Sequence, residues 1–160
     1  MFSAYLEDFR DIKIIINSDI TLDKNNLYAL YNNKEVKLFV INEENYENCR
    51  HIYLRSEEDL EPMYDTFIIN GEFKSRLLLG KITRSINFDD KYFFKGWLGF
   101  KYYKSKTTFR LWTPVAKEIK IVLNNNEYNL SYTSNGVWET TIVGNFDKAT
   151  YYYLVRINDE

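Results

Sequence analysis

The feature that most constrains the fold is a succession of short alternating runs separated by turn residues. The run Asp11–Asn17 places its isoleucines on one face of an extended chain, as the two-residue period of a strand requires. Similar runs recur about every ten residues, with turn signals such as Asn32-Asn33-Lys34 between them. No segment sustains a 3.6-residue period, and 18–26 is the best helical candidate. The pattern predicts an all-β chain of small antiparallel, immunoglobulin-like β-sandwiches.

The runs fall into two groups, which predict two domains in tandem. The predicted strands are 11–17, 27–31, 35–41, 49–55, 66–71 and 77–79 in the first group, and 107–112, 118–123, 128–132, 137–143 and 150–157 in the second. Because the pattern changes between residues 88 and 96, we place the boundary there and predict domains 1–90 and 91–160. Each half is near the lower size limit for independent folding, so we expect the halves to pack against each other or against a further surface.

The net charge, the hydrophobic pattern and the cysteine content argue against several functional classes. The net charge is −2, whereas nucleic-acid-binding domains are typically basic, so we expect no nucleic-acid partner. No apolar run approaches the roughly 20 residues of a membrane helix, and the start MFSAYLEDFRD lacks the features of a secretory signal. The single cysteine, Cys49, cannot form an internal disulfide. A cytoplasmic protein without a membrane partner is therefore expected.

Two side-chain pairs resemble fragments of a reactive site, and neither is sufficient. Cys49 and His51 share a strand face, but two ligands are too few for a structural zinc site. Asp89 and Asp90 are adjacent, and adjacent residues of an extended chain point to opposite sides. We therefore predict no metal site and expect no cofactor in this chain.

The aromatic content supplies the candidate binding residues, since 18% of the chain is Phe, Trp or Tyr. Flat rings can stack on a sugar or fill a core. Trp97 lies in the bend Gly96-Trp97-Leu98-Gly99, Trp112 ends the run 107–112 beside Arg110, and Trp138 follows a turn. Each is a candidate carbohydrate-binding residue. For each one the alternative is packing, against neighbouring strands or another domain.

A series of motifs in the second half resembles the family 48 carbohydrate-binding module. The series is LGxxYxxxxTxFRLWxP (Leu98, Gly99, Tyr102, Thr107, Phe109, Arg110, Leu111, Trp112 and Pro114), GxW (Gly136 and Trp138), IxG (Ile142 and Gly144) and the Tyr-rich strand Tyr151–Val155. The longer run FDDKYFFKGWLG before TTFRLWTP is similar to the N-terminal region of type I pullulanases, of glycoside hydrolase family 13. The resemblance covers 88–157 closely and 1–87 more loosely.

This resemblance implies a non-catalytic N-terminal piece of an enzyme that hydrolyses α-1,6-glucosidic links. Retaining glycosidases use two carboxyl groups about 5 Å apart, and a (β/α)₈ barrel needs roughly 250 residues. The chain has 160, so the catalytic residues would lie outside it. The implied partners are the catalytic barrel of the same parent chain and an α-glucan such as pullulan, amylopectin or glycogen.

The resemblance also implies that any glucan binding is weak. Glycogen-binding members of the family carry an aromatic residue in the turn that here is Asn124-Asn125-Asn126. The alternative interpretation is a free-standing α-glucan-binding or scaffolding module without an attached hydrolase.

Overall fold

A computed structural model of the chain describes residues 2–159, and most of them lie in strands. The strands are β1 (Phe2–Leu6), β2 (Asp11–Asn17), β3 (Leu27–Tyr31), β4 (Lys34–Asn45), β5 (Cys49–Ser56), β6 (Thr66–Asn70), β7 (Phe73–Leu79), β8 (Gly99–Tyr103), β9 (Lys106–Trp112), β10 (Glu118–Leu123), β11 (Asn126–Asn129), β12 (Ser131–Tyr132), β13 (Val137–Val143) and β14 (Tyr151–Arg156). A 3₁₀ turn, Lys81–Arg84, precedes helix α1 (Ile86–Tyr92). The predicted all-β fold class is confirmed.

The chain forms two compact units that divide after Asp90. In the first unit the strands follow the order β1-β2-β5-β4-β3-β6-β7 and close into a barrel. Closure comes from β1, which pairs antiparallel with β2 and parallel with β7. The parallel pair of β1 and β7 is a detail that the predicted antiparallel sandwich did not include. Closing the barrel pairs the two strands that would otherwise be edges, over Ala4–Leu6 and Leu77–Leu79.

The interior of the barrel follows the predicted alternation. Ile12, Ile14 and Ile16 of β2 are at most 1% exposed. The hairpin between β3 and β4 turns at Asn32 and Asn33, whose φ angles are 47° and 63°. Such left-handed angles are those of a two-residue hairpin turn, and asparagine adopts them more readily than most residues. The turn predicted at this point is confirmed.

The second unit is a sandwich of a three-stranded sheet, β11-β10-β14, and a four-stranded sheet, β12-β13-β9-β8. The strand predicted over 128–132 is split between them. Tyr128 of β11 pairs with Ile121, whereas Tyr132 of β12 pairs with Trp138. Leu130 lies at the crossing and is buried. The chain changes sheets there because the Leu130 side chain enters the core between them.

The helical prediction was wrong, since 18–26 contains no helix. Asn70 instead holds this loop by donating to the carbonyls of Asp23 and Asn26, at 2.8 and 3.0 Å. The helix that does form is α1, which the sequence did not predict. The hydroxyl of Ser85 accepts a hydrogen bond from the Phe88 N–H at 3.1 Å, as in an N-cap. No helix within residues 2–159 is long and apolar enough to cross a membrane.

The sandwich core predicts a large loss of stability when Phe109 is truncated. Phe109 is 2% exposed, so Phe109→Ala should lower the free energy of unfolding of the second unit by about 3–5 kcal/mol. Urea denaturation followed by tryptophan fluorescence measures this unit selectively, because all three tryptophans lie in it. Val143→Ala is the control, because Val143 is 83% exposed and should change the value by less than about 0.5 kcal/mol. Equal effects of the two substitutions would contradict the assignment of the core.

Candidate functional site

The outward side of the four-stranded sheet in the second unit gathers polar and aromatic side chains, and we call it the outer face. The register sets Lys101 beside Thr108 and Thr108 beside Thr141. The next row pairs Arg110 with Glu139. Directly opposed residues share one side of a sheet, so these groups and Trp112 face the same way. The outer face is therefore formed by Trp97, Lys101, Thr108, Arg110, Trp112, Glu139 and Thr141.

Trp97 lies over two cations of the outer face. The ammonium of Lys101 is 4.5 Å from the centre of a Trp97 ring, and the guanidinium carbon of Arg110 is 4.4 Å from it. Both distances are within the range of a cation–π interaction. Arg110 in turn forms an ion pair with Glu139, which orients the guanidinium. The predicted site residue Trp97 thus belongs to the outer face and is held there electrostatically.

Trp112 combines a fixed position with an accessible ring. Its indole N–H is 3.0 Å from the carbonyl oxygens of both Tyr92 and Asn135, while the side chain is 41% exposed. Gly136 follows Asn135 with φ of 80°, and a Cβ there would lie 2.9 Å from Pro114. The turn that contributes the Asn135 carbonyl therefore requires glycine. The indole is fixed by backbone carbonyls and still presents part of its surface to solvent.

Trp138 lies on the opposite side of the same sheet and does not fit its predicted role. It is 6% exposed, and its indole N–H donates to the Thr113 carbonyl at 3.1 Å. Its ring packs edge-on against Tyr132, with 5.7 Å between ring centres. No open ring surface remains for a sugar. The alternative interpretation, packing, describes Trp138.

The second unit also contains a cavity of about 290 Å³ on the inner side of β8 and β9. Aromatic rings dominate its lining, which includes Phe100, Tyr102, Thr107, Phe109, Phe146 and Tyr151. Phe109 is buried at its base, and the centre of the Tyr151 ring lies 5.1 Å from that of Phe109. The sequence did not point to this cavity, because it depends on how the loop before β14 folds over β8 and β9.

Two polar groups near the cavity lack hydrogen-bond partners within residues 2–159. They are the Thr107 hydroxyl in the lining and the hydroxyl of Tyr153. Burial of Tyr153, with a smaller contribution from neighbouring Tyr151, raises its phenol pKa to about 12. Both groups have lost contact with water without gaining a protein partner, an arrangement that normally calls for a specific explanation.

The described residues hold no group of three or more His, Cys, Asp or Glu side chains that could bind a metal ion. Cys49 and His51 both lie on β5, where His51 packs against the ring of Tyr46 at 4.5 Å between ring centres. The two rings are tilted by 47° to each other, so this contact positions the His51 ring.

Comparison with known proteins found a family model that matches the second unit. Residues 97–160 match the model of carbohydrate-binding module 48, described as the isoamylase N-terminal domain. The chain is also 26% identical over 92 residues to the pullulanase of Bacillus subtilis strain 168. That match covers 54% of this chain and 13% of the pullulanase.

Solved structures extend the similarity over both units. Type I pullulanase from Bacillus subtilis strain 168, complexed with maltose, has a TM-score of 0.91 at 22% identity, covering 99% of this chain and 23% of that one. Pullulanase from Anoxybacillus sp. LM18-11 with maltotriose has a TM-score of 0.89 at 22% identity, covering 99% and 24%. At 22% identity, the similarity to these structures establishes the fold of this chain. The resemblance to the N-terminal region of type I pullulanases is confirmed, and the chain spans less than a quarter of their length.

The pKa of Tyr153 predicts a specific loss of stability in alkali. An unfolded tyrosine releases its proton near pH 10, whereas folded Tyr153 holds it to about pH 12. Its contribution is therefore complete below about pH 10, and the free energy of unfolding falls as pH rises above that value. Tyr153→Phe should make this fall shallower and should cost little at neutral pH, because the hydroxyl has no partner within the described chain.

Urea denaturation between about pH 9 and pH 11 tests this prediction. Tyr152→Phe on the same strand is the matched control, since Tyr152 is 58% exposed. The wild type and Tyr152→Phe should lose stability in parallel, and Tyr153→Phe should lose less. Identical slopes for all three proteins would contradict the assignment.

Proposed function

We propose that this chain is the non-catalytic N-terminal region of a pullulanase, and that its second unit contacts α-glucan while supporting the catalytic barrel. The observation that carries the proposal is the match of residues 97–160 to carbohydrate-binding module 48. The parent enzyme would hydrolyse α-1,6-glucosidic links in pullulan and branched glucans. Its carboxylate pair would lie in a barrel of roughly 250 residues, more than this chain contains.

The outer face is the proposed glucan contact. Trp112 is fixed by two hydrogen bonds, so stacking on a sugar would immobilise little further side-chain freedom. Trp97 is likewise held by Lys101 and Arg110. The Thr108 and Thr141 hydroxyls, 2.8 Å apart, lie on the same side and can exchange hydrogen bonds with sugar hydroxyls. An open face buries one side of a glucan only, so the contact should be weak.

Strand β14 is the proposed contact with the rest of the parent protein. It is an edge strand of the three-stranded sheet, and Tyr152, Leu154 and Val155 are 58%, 44% and 38% exposed. An unprotected edge with apolar side chains is an aggregation hazard in a free domain. This exposure favours an attached domain over the alternative, a free-standing α-glucan-binding or scaffolding module. The proposed setting remains cytoplasmic, with neither nucleic acid nor membrane as a partner.

Affinity electrophoresis in gels that contain amylopectin tests the proposed contact. The chain should be slightly retarded, and Trp112→Ala or Trp97→Ala should each weaken the apparent affinity by about 2–10-fold. Phe73→Ala is the control, because Phe73 is also about half exposed, at 48%, but lies in the first unit. The melting temperature of each variant separates lost binding from lost folding. Retardation that is unchanged by both tryptophan substitutions would place the contact elsewhere.

The absence of catalysis is tested on pullulan itself. The purified chain should release no reducing ends, because the proposal places both reacting carboxyl groups in the barrel. A full-length type I pullulanase serves as the positive control under the same conditions. Measurable hydrolysis by the pure chain would contradict the proposed non-catalytic role.

A further inference from the structure

We propose that the cavity lined by β8, β9 and the loop before β14 is a subsite for the terminal glucosyl unit of an α-glucan. The inference rests on the proposed function in taking α-glucan as the ligand class. It adds a second contact on the inner side of the four-stranded sheet. Phe100 and Phe109, which face each other across β8 and β9, line this cavity, whereas their neighbours Lys101 and Arg110 point to the outer face.

The first argument is the unpaired hydroxyl in the cavity wall. Thr107 is 3% exposed, and its Oγ1 has no hydrogen-bond partner within residues 2–159. A buried hydroxyl without a partner is destabilising, whereas a ligand hydroxyl placed against it would satisfy both groups. A purely apolar occupant would leave Thr107 unsatisfied. The cavity therefore fits a ligand that is both apolar and hydroxylated.

The second argument is the arrangement of the rings. The centres of Phe100 and Tyr151 are 6.1 Å apart, and each is also near Phe109. Phe100 is 55% exposed and Tyr151 is 39% exposed, so both rings are accessible at the mouth of the cavity. A pyranose ring carries apolar C–H groups on its faces and hydroxyls around its rim. It thus matches aromatic walls that lie beside the unpaired Thr107 hydroxyl.

The rim provides further polar groups in a fixed loop. Asn145 accepts hydrogen bonds from the Tyr102 hydroxyl at 2.8 Å and from the Asp147 N–H at 3.2 Å. Asp147 and Lys148 line the opening, and both are exposed. Lys148 has a φ of 56°, a left-handed conformation that is uncommon for lysine. A carboxylate and an ammonium at the mouth can bind the outer hydroxyls of a sugar.

Size indicates that the cavity takes an end of the glucan. Its 290 Å³ is at the lower limit of small-molecule sites, which span about 300–1,000 Å³. One monosaccharide unit fits that volume, and a passing chain does not. A terminal unit can enter with the rest of the chain left outside. The subsite should therefore prefer linear maltooligosaccharides to a cyclic glucan, which has no end.

NMR titration of the 160-residue chain with maltotriose and with α-cyclodextrin tests the subsite. Maltotriose should shift the ring resonances of Phe100 and Tyr151 in a saturable way, and α-cyclodextrin should not. Thr107→Val removes the hydroxyl and keeps the shape, so it should weaken the maltotriose titration by about 3–10-fold. It should not lower the melting temperature, because the hydroxyl lacks a partner within the described residues.

Thr21→Val is the matched control, since Thr21 is exposed and lies in the first unit. It should leave the Phe100 and Tyr151 titration unchanged within about two-fold. The inference is overturned if Thr107→Val binds like wild type, or if α-cyclodextrin shifts the same rings. It also fails, while the proposed function survives, if glucans shift the indole resonances of Trp97 and Trp112 alone. No response of either set to maltotriose or α-cyclodextrin would count against both.

Discussion

The register of β9 against β13 governs the chemistry of the second unit. Thr108 faces Thr141 and Arg110 faces Glu139, so the odd-numbered neighbours Thr107 and Phe109 turn to the other side. A slip of β9 by one residue would exchange its two sides, separate Arg110 from Glu139 and bury the Arg110 charge without its partner. Desolvating that charge would be costly, and Phe109 would be exposed. The same register therefore determines which residues form the outer face, the core and the lining of the cavity.

The turn before β13 extends this constraint to the indole of Trp112. Asn135 and Gly136 both have positive φ angles, of 51° and 80°, and the Asn135 carbonyl accepts from Trp112. The Asn135 side-chain amide also donates to the Phe93 carbonyl at 3.1 Å. A single turn thus connects the segment that contains Phe93 to the outer face. The motif residues Trp112, Pro114 and Gly136 act together because they meet at this turn.

Local signals in the sequence predicted those parts of the fold that depend on neighbouring residues. Alternation identified β2, β9, β10 and β13, and paired asparagines identified hairpin turns. What the sequence could not predict depends on distant partners. The parallel pairing of β1 with β7 joins residues that are more than seventy positions apart. The change from one sheet to the other at Leu130 likewise depends on distant residues, because they form the core that buries its side chain.

The candidate site likewise has parts that local sequence signals could predict and parts that depend on distant residues. The sequence singled out Trp97 and Trp138 beside a bend and a turn, and Trp112 at the end of a strand beside Arg110. The three tryptophans differ in how far they are exposed to solvent, and this exposure depends on the register of the sheet. The cavity gave no local signal, since Thr107 and Tyr151 are adjacent only after β9 and β14 have been placed in opposing sheets.

Strand β9 thus contributes side chains to a proposed contact on each of its two sides. Binding at each of these contacts is expected to be weak. The outer face is open, so a glucan there would keep most of its hydration, and the proposed cavity subsite would accept only a terminal unit. Two weak contacts on one small module can still act strongly together when one branched polymer reaches both. The second contact then forms at a high effective concentration and needs no greater intrinsic affinity. A module of this kind would favour branched glucans, because they offer many chain ends beside continuous chains.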